Sequence, residues 1–223
     1  MKSKLSASIM CANPLQMEKD LAYLAQEKIP YFHCDIMDGH FVPNLMLSTE
    51  TIKALKQRFD VPLDIHLMVE NPERMIPWFP IGTGDIVSVH YESTPHVHRA
   101  LGMIRERGAS PALALNPATP LQCAREVLND IDMLLLMTVN PGFAAQKLVS
   151  SALDKIARAR EMLDTLGLTH MPIQVDGNCS LDNIPRMEAA GANIFVVGSS
   201  SVFSAEHGLA KGLTMATACL QNH

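Results

Sequence analysis

Four polar side chains lie at the carboxyl ends of three strand-like runs that are otherwise almost entirely apolar. His33 and Asp35 lie in YFHCDIMD, His66 in PLDIHLMV and Asp176 in PIQVD. A carboxylate or an imidazole in a buried strand is costly unless it is paired or bound to a metal. Two histidines and two carboxylates suit one divalent cation such as Zn²⁺, Fe²⁺ or Mn²⁺. Two of the four groups could also serve as a matched acid and base.

Side-chain alternation predicts which of these groups face the same way. Residues two apart share a face of a strand, so His33, Asp35 and Met37 lie on one face, with Cys34 and Ile36 on the other. Taken alone, a buried histidine is more often a hydrogen-bonded core residue, and an aspartate can cap a helix. Because all four groups occur at the same end of their strands, we predict that they converge on one site.

Small residues follow three later strands and predict an anion-binding site. The segments are Asn140–Ala145, Asp176–Asn178 and Gly198–Ser200. Small residues let backbone N–H groups approach an anion, and the last loops of a (β/α)8 barrel commonly hold phosphate. Each segment alone is also typical of an ordinary turn. Together they predict a phosphorylated small molecule as the ligand.

Short apolar runs alternate with amphipathic helical stretches along the whole chain. The predicted strands are 5–10, 31–36, 62–68, 85–90, 111–115, 132–139, 172–176 and 193–198. The predicted helices are 14–28, 48–58, 71–79, 95–107, 119–128, 148–166, 181–190 and 203–220. Eight strand–helix pairs predict an α/β fold, a single (β/α)8 TIM barrel, as one domain over 1–223. A doubly wound open sheet is the alternative, but it usually has fewer strands, and no GxGxxG follows the first strand.

Composition indicates which kinds of partner to expect and in which compartment the protein works. The net charge is −5 and Lys and Arg form no basic stripe, so no nucleic acid is expected as a partner. No apolar stretch approaches the ~20 residues that cross a bilayer, so no membrane partner is expected. The 5 cysteines are scattered and have no CxxC spacing, which favours reduced thiols in a cytoplasmic protein.

Six segments together resemble the ribulose-phosphate 3-epimerase family over essentially the full chain. They are SASIM from Ser6, HCDIMDGHFVPN from His33, LDIHLMV from Leu63, MTVNPGF from Met137, VDG from Val175 and VGS from Val197. The second and third segments are long and specific. The resemblance implies a metal-dependent isomerase that inverts C3 of a phosphorylated ketose through a metal-stabilised enediolate. It also suggests a homo-oligomer.

The resemblance further implies a role for each candidate site residue. His33, Asp35, His66 and Asp176 would hold one divalent metal ion, and Asp35 and Asp176 would be the catalytic acid and base. The residues implied at the substrate are Ser8, Met37, His66, Met68, Met137, Gly142, Phe143, Ala144, Ala145, Gly177, Asn178, Gly198 and Ser199. The glycines, alanines and Asn178 would contact chiefly the phosphate, and the methionines would line the site. Simple core packing is the alternative for the methionines.

Two departures from the family pattern concern the substrate. Ala144–Ala145 replace a glycine pair that many members carry after PGF, and Asn178 replaces a second glycine after the strand aspartate. Both add bulk or polarity on the phosphate side and leave the four proposed ligands unchanged. The polar residue after Gly177, the PGFA sequence and the HCDIMDGHFVPN segment resemble the allulose-6-phosphate 3-epimerase branch more than the pentose-phosphate branch. D-Allulose 6-phosphate and D-ribulose 5-phosphate are therefore both candidate substrates.

Two functions of other classes share the predicted fold. A non-catalytic sugar-phosphate-binding barrel would be favoured if Asp35 or Asp176 were absent, and both are present. Another phosphate-binding barrel enzyme, such as an aldolase or a decarboxylase, is the second alternative. A Schiff-base aldolase needs a buried lysine at a strand end. No predicted strand contains one, and Lys147 falls in a loop.

Overall fold

A closed barrel of parallel strands forms the centre of the protein. The computed structural model describes residues 2–220, so residues 1 and 221–223 of the predicted domain lie outside the described part. The strands are β1 (Lys4–Ser8), β2 (Tyr31–Asp38), β3 (Leu45–Met46), β4 (Leu63–Met68), β5 (Ile86–His90), β6 (Ser110–Leu115), β7 (Met133–Met137), β8 (Ile173–Asp176) and β9 (Ile194–Val197). All except β3 run parallel, and β1 pairs with both β2 and β9, which closes the barrel. The predicted (β/α)8 TIM barrel is confirmed.

Helices connect the strands and cover the outside of the barrel. They are α1 (Met17–Gln26), α2 (Thr49–Arg58), α3 (Val97–Glu106), α4 (Ala152–Thr165), α5 (Asn183–Ala189) and α6 (Leu209–Leu220). Ser48 begins α2 by accepting a hydrogen bond from the backbone N–H of Thr51, as an N-cap residue does. No helix among residues 2–220 is both long and apolar enough to cross a bilayer.

Three helix predictions differ from the structure. The predicted helix 71–79 is wrong: two 3-10 turns, Pro72–Arg74 and Ile76–Trp78, stand in its place. Pro77 has no N–H for an α-helical hydrogen bond and its ring obstructs the preceding turn, so the helix cannot continue through it. The predicted helix 119–128 is 3-10 over Leu121–Asp130, and the last helix begins at Leu209 rather than at 203.

The 3-10 form of Leu121–Asp130 agrees with the spacing of its buried residues. Leu121, Ala124 and Val127 are all buried and lie three residues apart. Three residues per turn is the period of a 3-10 helix, so this spacing puts the apolar side chains in one row. The helical prediction for 119–128 thus located the element, although not its hydrogen-bond pattern.

The two faces of each strand have different chemistry. Cys34 and Ile36 belong to the large apolar core between the strands and the helices. His33 and Asp35 face the barrel interior instead, where the buried side chains include many polar groups. The structure thus has the predicted alternation, with an apolar shell outside the sheet and a polar interior towards the carboxyl ends of the strands.

Candidate active site

The four predicted ligands meet at the carboxyl-terminal end of the barrel. His33 and Asp35 come from β2, His66 from β4 and Asp176 from the last position of β8. One ligand atom from each residue lies within 4.8 Å of all the others. Asp35 Oδ1 lies 3.2 Å from His33 Nε2 and 3.3 Å from His66 Nδ1. Asp176 Oδ2 lies 3.4 Å from His66 Nδ1 and 3.8 Å from His33 Nε2.

Strand register explains why these side chains converge. β2 and β4 are neighbours, and their register sets Asp35 beside His66. Asp176 lies on β8, which β1 and β9 separate from β2 in the barrel. The two carboxylates therefore reach the same pair of histidines from different sides. Enzymes of this fold build their active sites from inward-facing side chains at the carboxyl-terminal ends of the strands.

The environment of His33 fits a metal ligand. Its Nδ1 lies 2.7 Å from Asp64 Oδ2, and Asp64 also accepts hydrogen bonds from Ser6 Oγ and Gln174 Nε2. Its Nε2 is buried, faces the carboxylates of the cluster and has no hydrogen-bond partner among the described residues. A histidine that donates one ring N–H to a carboxylate and offers the other nitrogen to a metal is the usual arrangement. The cluster is thus able to hold a divalent cation.

Electrostatics in the cluster favour a positive charge. Burial opposes protonation of His33, but the carboxylates of Asp64 and Asp35 outweigh it and raise the pKa of His33 well above its ordinary value. Hydrogen bonds to Asp176 and Asp35 likewise overcome burial and raise the pKa of His66. Burial would raise the pKa of Asp35, but the two histidines hold it well below its ordinary value. The carboxylates that raise these two pKa values would attract a metal cation in the same way.

A third buried histidine, His90, lies behind His66. His90, the last residue of β5, is fully buried, and its Nε2 lies 2.8 Å from His66 Nε2. Its Nδ1 lies 3.3 Å from Glu92 Oε2. Burial is the main reason that the pKa of His90 falls to about 4, so the ring is neutral at neutral pH.

Three residues that support the cluster were not among the predicted site residues: Asp64, His90 and Glu92. Asp64 shares the inward face of its strand with His66, and His90 is a polar residue at the end of a largely apolar strand. Both had the signal that identified the four ligands. Glu92 had none, because it lies in a 3-10 turn after β5 and its role depends on the loop's path.

A cleft above the cluster contains most of the predicted substrate residues. It is lined by Ser8, Asp35, Met37, Met68, Met137, Gly142, Phe143, Ala144, Ala145, Asp176, Gly177, Asn178, Gly198 and Ser199. His66 and His33 lie beneath it and are fully buried. Ser8 Oγ donates a hydrogen bond to Asp35 Oδ2 over 2.9 Å. Within the described residues no lysine lines the cleft, so a Schiff base would have no nucleophile there.

The loops after β7 and β8 form the small-residue side of the cleft. Gly142 and Gly177 have φ of +117° and +118°, a region that favours glycine. Ala145 and Asn178, two of the departures from the family pattern, have φ of +60° and +51°. These values explain why glycine is common at such positions, since left-handed backbone disfavours a Cβ.

Asn178 connects the two loops. Its Nδ2 donates to the backbone carbonyl of Gln146 over 2.6 Å, and its Oδ1 accepts from Asn183 Nδ2 over 2.7 Å. Gln146 Nε2 in turn donates to the carbonyls of Asn140 and Phe143. A glycine at 178 could make none of the side-chain contacts. The replacement therefore ties the β8 loop to the β7 loop beside the predicted phosphate position.

Comparison with known proteins gives one consistent result. The model of the ribulose-phosphate 3 epimerase family matches residues 4–203. A ribulose-phosphate 3-epimerase of Bacillus subtilis is 41% identical over 197 residues, which are 88% of this chain and 91% of that protein. One from Escherichia coli is 38% identical over 197 residues, 88% of this chain and 87% of that protein. The fold also matches the crystal structure of a KGPDC from Streptococcus mutans, with a TM-score of 0.71, 13% identity and coverage of 99% of this chain and 98% of that one.

Proposed function

This chain belongs to the ribulose-phosphate 3-epimerase family, and we propose that it inverts C3 of a phosphorylated ketose by two-aspartate proton transfer. The family resemblance seen in the six sequence segments is confirmed, as is the class of enzyme: an isomerase that acts on carbohydrate phosphates. The observation that carries the mechanistic proposal is the pair of carboxylates, Asp35 and Asp176, that line one cleft from different sides.

Asp35 and Asp176 would move the proton. The hydrogen on C3 of a ketose is weakly acidic because the neighbouring carbonyl delocalises the charge that its removal leaves. One ionised aspartate takes this proton from one side of C3, and the other aspartate, in its acid form, returns a proton to the opposite side. The planar enediolate between the two steps lets the stereocentre invert without oxidation or reduction. Ser8 Oγ would orient Asp35 through their hydrogen bond.

His33, Asp35, His66 and Asp176 would hold a divalent cation. Zn²⁺, Fe²⁺ and Mn²⁺ all suit two imidazoles and two carboxylates. Such a cation, when bound, polarises the substrate carbonyl and stabilises the negative charge of the enediolate. Asp64 would orient His33 through the 2.7 Å contact to its Nδ1.

The remaining cleft residues would position the substrate. Met37, Met68 and Met137 present polarisable, apolar side chains that do not donate a proton to the intermediate. Backbone from Gly142 to Ala145, at Gly177 and Asn178, and at Gly198 and Ser199 would face the phosphate. Within the family, D-ribulose 5-phosphate, converted to D-xylulose 5-phosphate, is the first candidate substrate, because the relatives in B. subtilis and E. coli carry that activity in their names.

D-Allulose 6-phosphate, converted to D-fructose 6-phosphate, is the second candidate substrate. It is favoured by Ala144–Ala145 and Asn178, which change the phosphate side of the cleft relative to the family pattern. A six-carbon ketose phosphate is one carbon longer, so its phosphate must lie differently when C3 is held between the same aspartates. Homo-oligomerisation and a cytoplasmic location stay predictions of the sequence.

Deuterium exchange tests the two-carboxylate mechanism. In D₂O the wild-type enzyme should place one deuterium at C3 as it epimerises either ketose phosphate. Asp176→Asn should slow inversion by about 10²–10⁴-fold, while Asp35 still exchanges the C3 hydrogen of one epimer with retention. Asp35→Asn should do the same with the other epimer. Bound metal is measured in both variants, and Asp154→Asn on the exposed face of α4 is the control. Inversion at the wild-type rate in either variant would refute the mechanism.

A side-by-side assay decides between the two substrates. The values of kcat/KM for D-ribulose 5-phosphate and D-allulose 6-phosphate are compared for the wild type and for Asn178→Gly. If Asn178 selects the longer ketose, the variant shifts the ratio towards the pentulose. An unchanged ratio would remove Asn178 from the determinants of specificity and leave the epimerase assignment intact.

A further inference from the structure

A line of hydrogen bonds leads from the proposed metal ligand His66 to a carboxylate at the edge of the barrel. His66 Nδ1 faces Asp35 and Asp176, while His66 Nε2 lies 2.8 Å from His90 Nε2. His90 Nδ1 lies 3.3 Å from Glu92 Oε2. His33 contacts its supporting carboxylate directly, whereas His66 reaches its own through a second imidazole.

The donors and acceptors in this line can be assigned from its carboxylate end. Glu92 Oε1 accepts from the backbone N–H of Asn116 and from the hydroxyl of Thr119, which favours the ionised carboxylate, and an ionised carboxylate can only accept at Oε2, the atom that faces His90. His90 must therefore carry its proton on Nδ1. A neutral ring then has a lone pair on Nε2, and that nitrogen must accept from His66. The proton of His66 is fixed on Nε2, and Nδ1 is the position that a second proton or a cation can occupy.

We propose that His90 and Glu92 are positioning residues that fix the tautomer of His66 and so aim the lone pair of its Nδ1 at the divalent cation. The inference rests on the proposed function only in taking His66 as a metal ligand. It assigns a role to two residues outside the set of ligands and substrate contacts.

Packing holds the middle of this line in place. The His90 and His66 rings meet edge to edge through their Nε2 atoms, with centroids 4.9 Å apart and an interplanar angle of 25°, and the His90 centroid lies 4.7 Å from that of Phe41. The His90 side chain is fully buried. Burial and the neighbouring Phe41 ring restrain the His90 ring in the orientation that points Nε2 at His66 and Nδ1 at Glu92.

The far end of the line is also fixed. Glu92 Oε1 accepts from the backbone N–H of Asn116 over 2.8 Å and from the hydroxyl of Thr119. Lys155 Nζ holds that turn by donating to the carbonyls of Asn116, Pro117 and Thr119. The loop after β6 and helix α4 thus both support the carboxylate that orients His90.

Metal affinity, measured without substrate, tests this role. Metal-free protein is titrated with Zn²⁺ against a chromophoric chelator. His90→Phe keeps the ring but removes the acceptor, and we expect affinity to fall by about 10–100-fold, as for other residues that orient metal ligands. His90→Gln can place its amide oxygen near the lost Nε2 and should recover most of the affinity. Glu92→Ala should weaken binding less, because its side chain is 22% exposed and water can replace it.

The control is Ser88→Ala. Ser88 lies two residues before His90 on the same inward face of β5, is fully buried, and its hydroxyl has no hydrogen-bond partner among residues 2–220. The affinity of the Ser88→Ala variant for Zn²⁺ should equal that of the wild type. Thermal unfolding establishes that each variant is folded. Wild-type affinity in a folded His90→Phe protein would overturn the positioning role.

Imidazole NMR gives a second readout that does not depend on turnover. In ¹⁵N-labelled, Zn²⁺-loaded protein, His66 should show its proton on Nε2 and His90 its proton on Nδ1. The opposite assignment for either ring would overturn the proposal. If the wild type binds Zn²⁺ and shows these tautomers but does not epimerise a ketose phosphate, the proposed function alone would be refuted. Failure of the wild type to bind Zn²⁺ would instead overturn the metal site and the positioning role together.

Discussion

Replacing Gly177 with alanine tests how closely the loops of the phosphate side pack. A Cβ at this position would lie 2.5 Å from Val139 Cγ2 and 2.8 Å from Val139 N, and the residue has φ of +118°. Overpacking of this kind destabilises by about 1–3 kcal/mol, and a strained backbone adds about 1–3 kcal/mol. We expect the free energy of unfolding to fall by roughly 2–6 kcal/mol, the sum of these two ranges.

The assay combines thermal unfolding with steady-state kinetics. For a domain of this size each kcal/mol lowers Tm by about 2–4 °C, so a fall of roughly 4–24 °C is expected. Val139 leads into the Asn140–Ala145 loop, so its displacement should also raise KM, by about tenfold if ~1.4 kcal/mol of binding free energy is lost.

Gly167→Ala is the matched control for this variant. Gly167 has φ of +76°, and a Cβ there would meet no atom of the described structure within 4 Å. It carries backbone strain without a steric clash, and it should leave KM unchanged. Equal Tm and KM in Gly177→Ala and Gly167→Ala would refute the close approach of the two loops.

Two further perturbations probe the loops and the support of the cluster. Asn178→Gly removes the side-chain contacts to Gln146 and Asn183. KM for the ketose phosphate should therefore rise, with kcat little changed. A wild-type KM would mean that these contacts do not order the β8 loop. Burial would raise the pKa of Asp64, but His33 and further hydrogen bonds hold it below its ordinary value. Its ionised form therefore adds stability above the unfolded pKa of about 3.9, and this is lost as pH falls through the lower folded pKa. Asp64→Asn should flatten the acid limb of unfolding free energy against pH; an unaltered limb would contradict this.

The barrel and its inward faces were predictable from local patterns. Alternation in YFHCDIMD separates His33 and Asp35 from Cys34 and Ile36, and the structure puts the two pairs on opposite sides of the sheet. Predictions that needed hydrogen-bond detail were weaker. Pro72 suits the first turn of a helix in 71–79. Pro77 lies five residues later and ends any α-helix there.

The supporting residues of the site could not be derived in the same way. Which polar group faces which depends on how far each strand is shifted along its neighbour, and that shift is fixed by packing around the whole ring. Register sets Asp64 beside His33 and Ser88 beside His66. His90 therefore lies two residues beyond the partner of His66, towards the carboxyl end of β5. The order of the strands along the chain does not determine their register. The hydrogen bond from His90 to Glu92 depends further on the path of the turn Tyr91–Ser93.

Closure of the barrel between β1 and β9 has a consequence for synthesis on the ribosome. Lys4 pairs with Ile194, so the first strand waits for almost the entire chain before its second neighbour emerges. Until then the nascent sheet has two open edges, which are able to pair with other chains. Asp176 also emerges more than a hundred residues after His66. A divalent cation could meet all four proposed ligands only once β8 has left the exit tunnel, so metal loading would be a late step in synthesis.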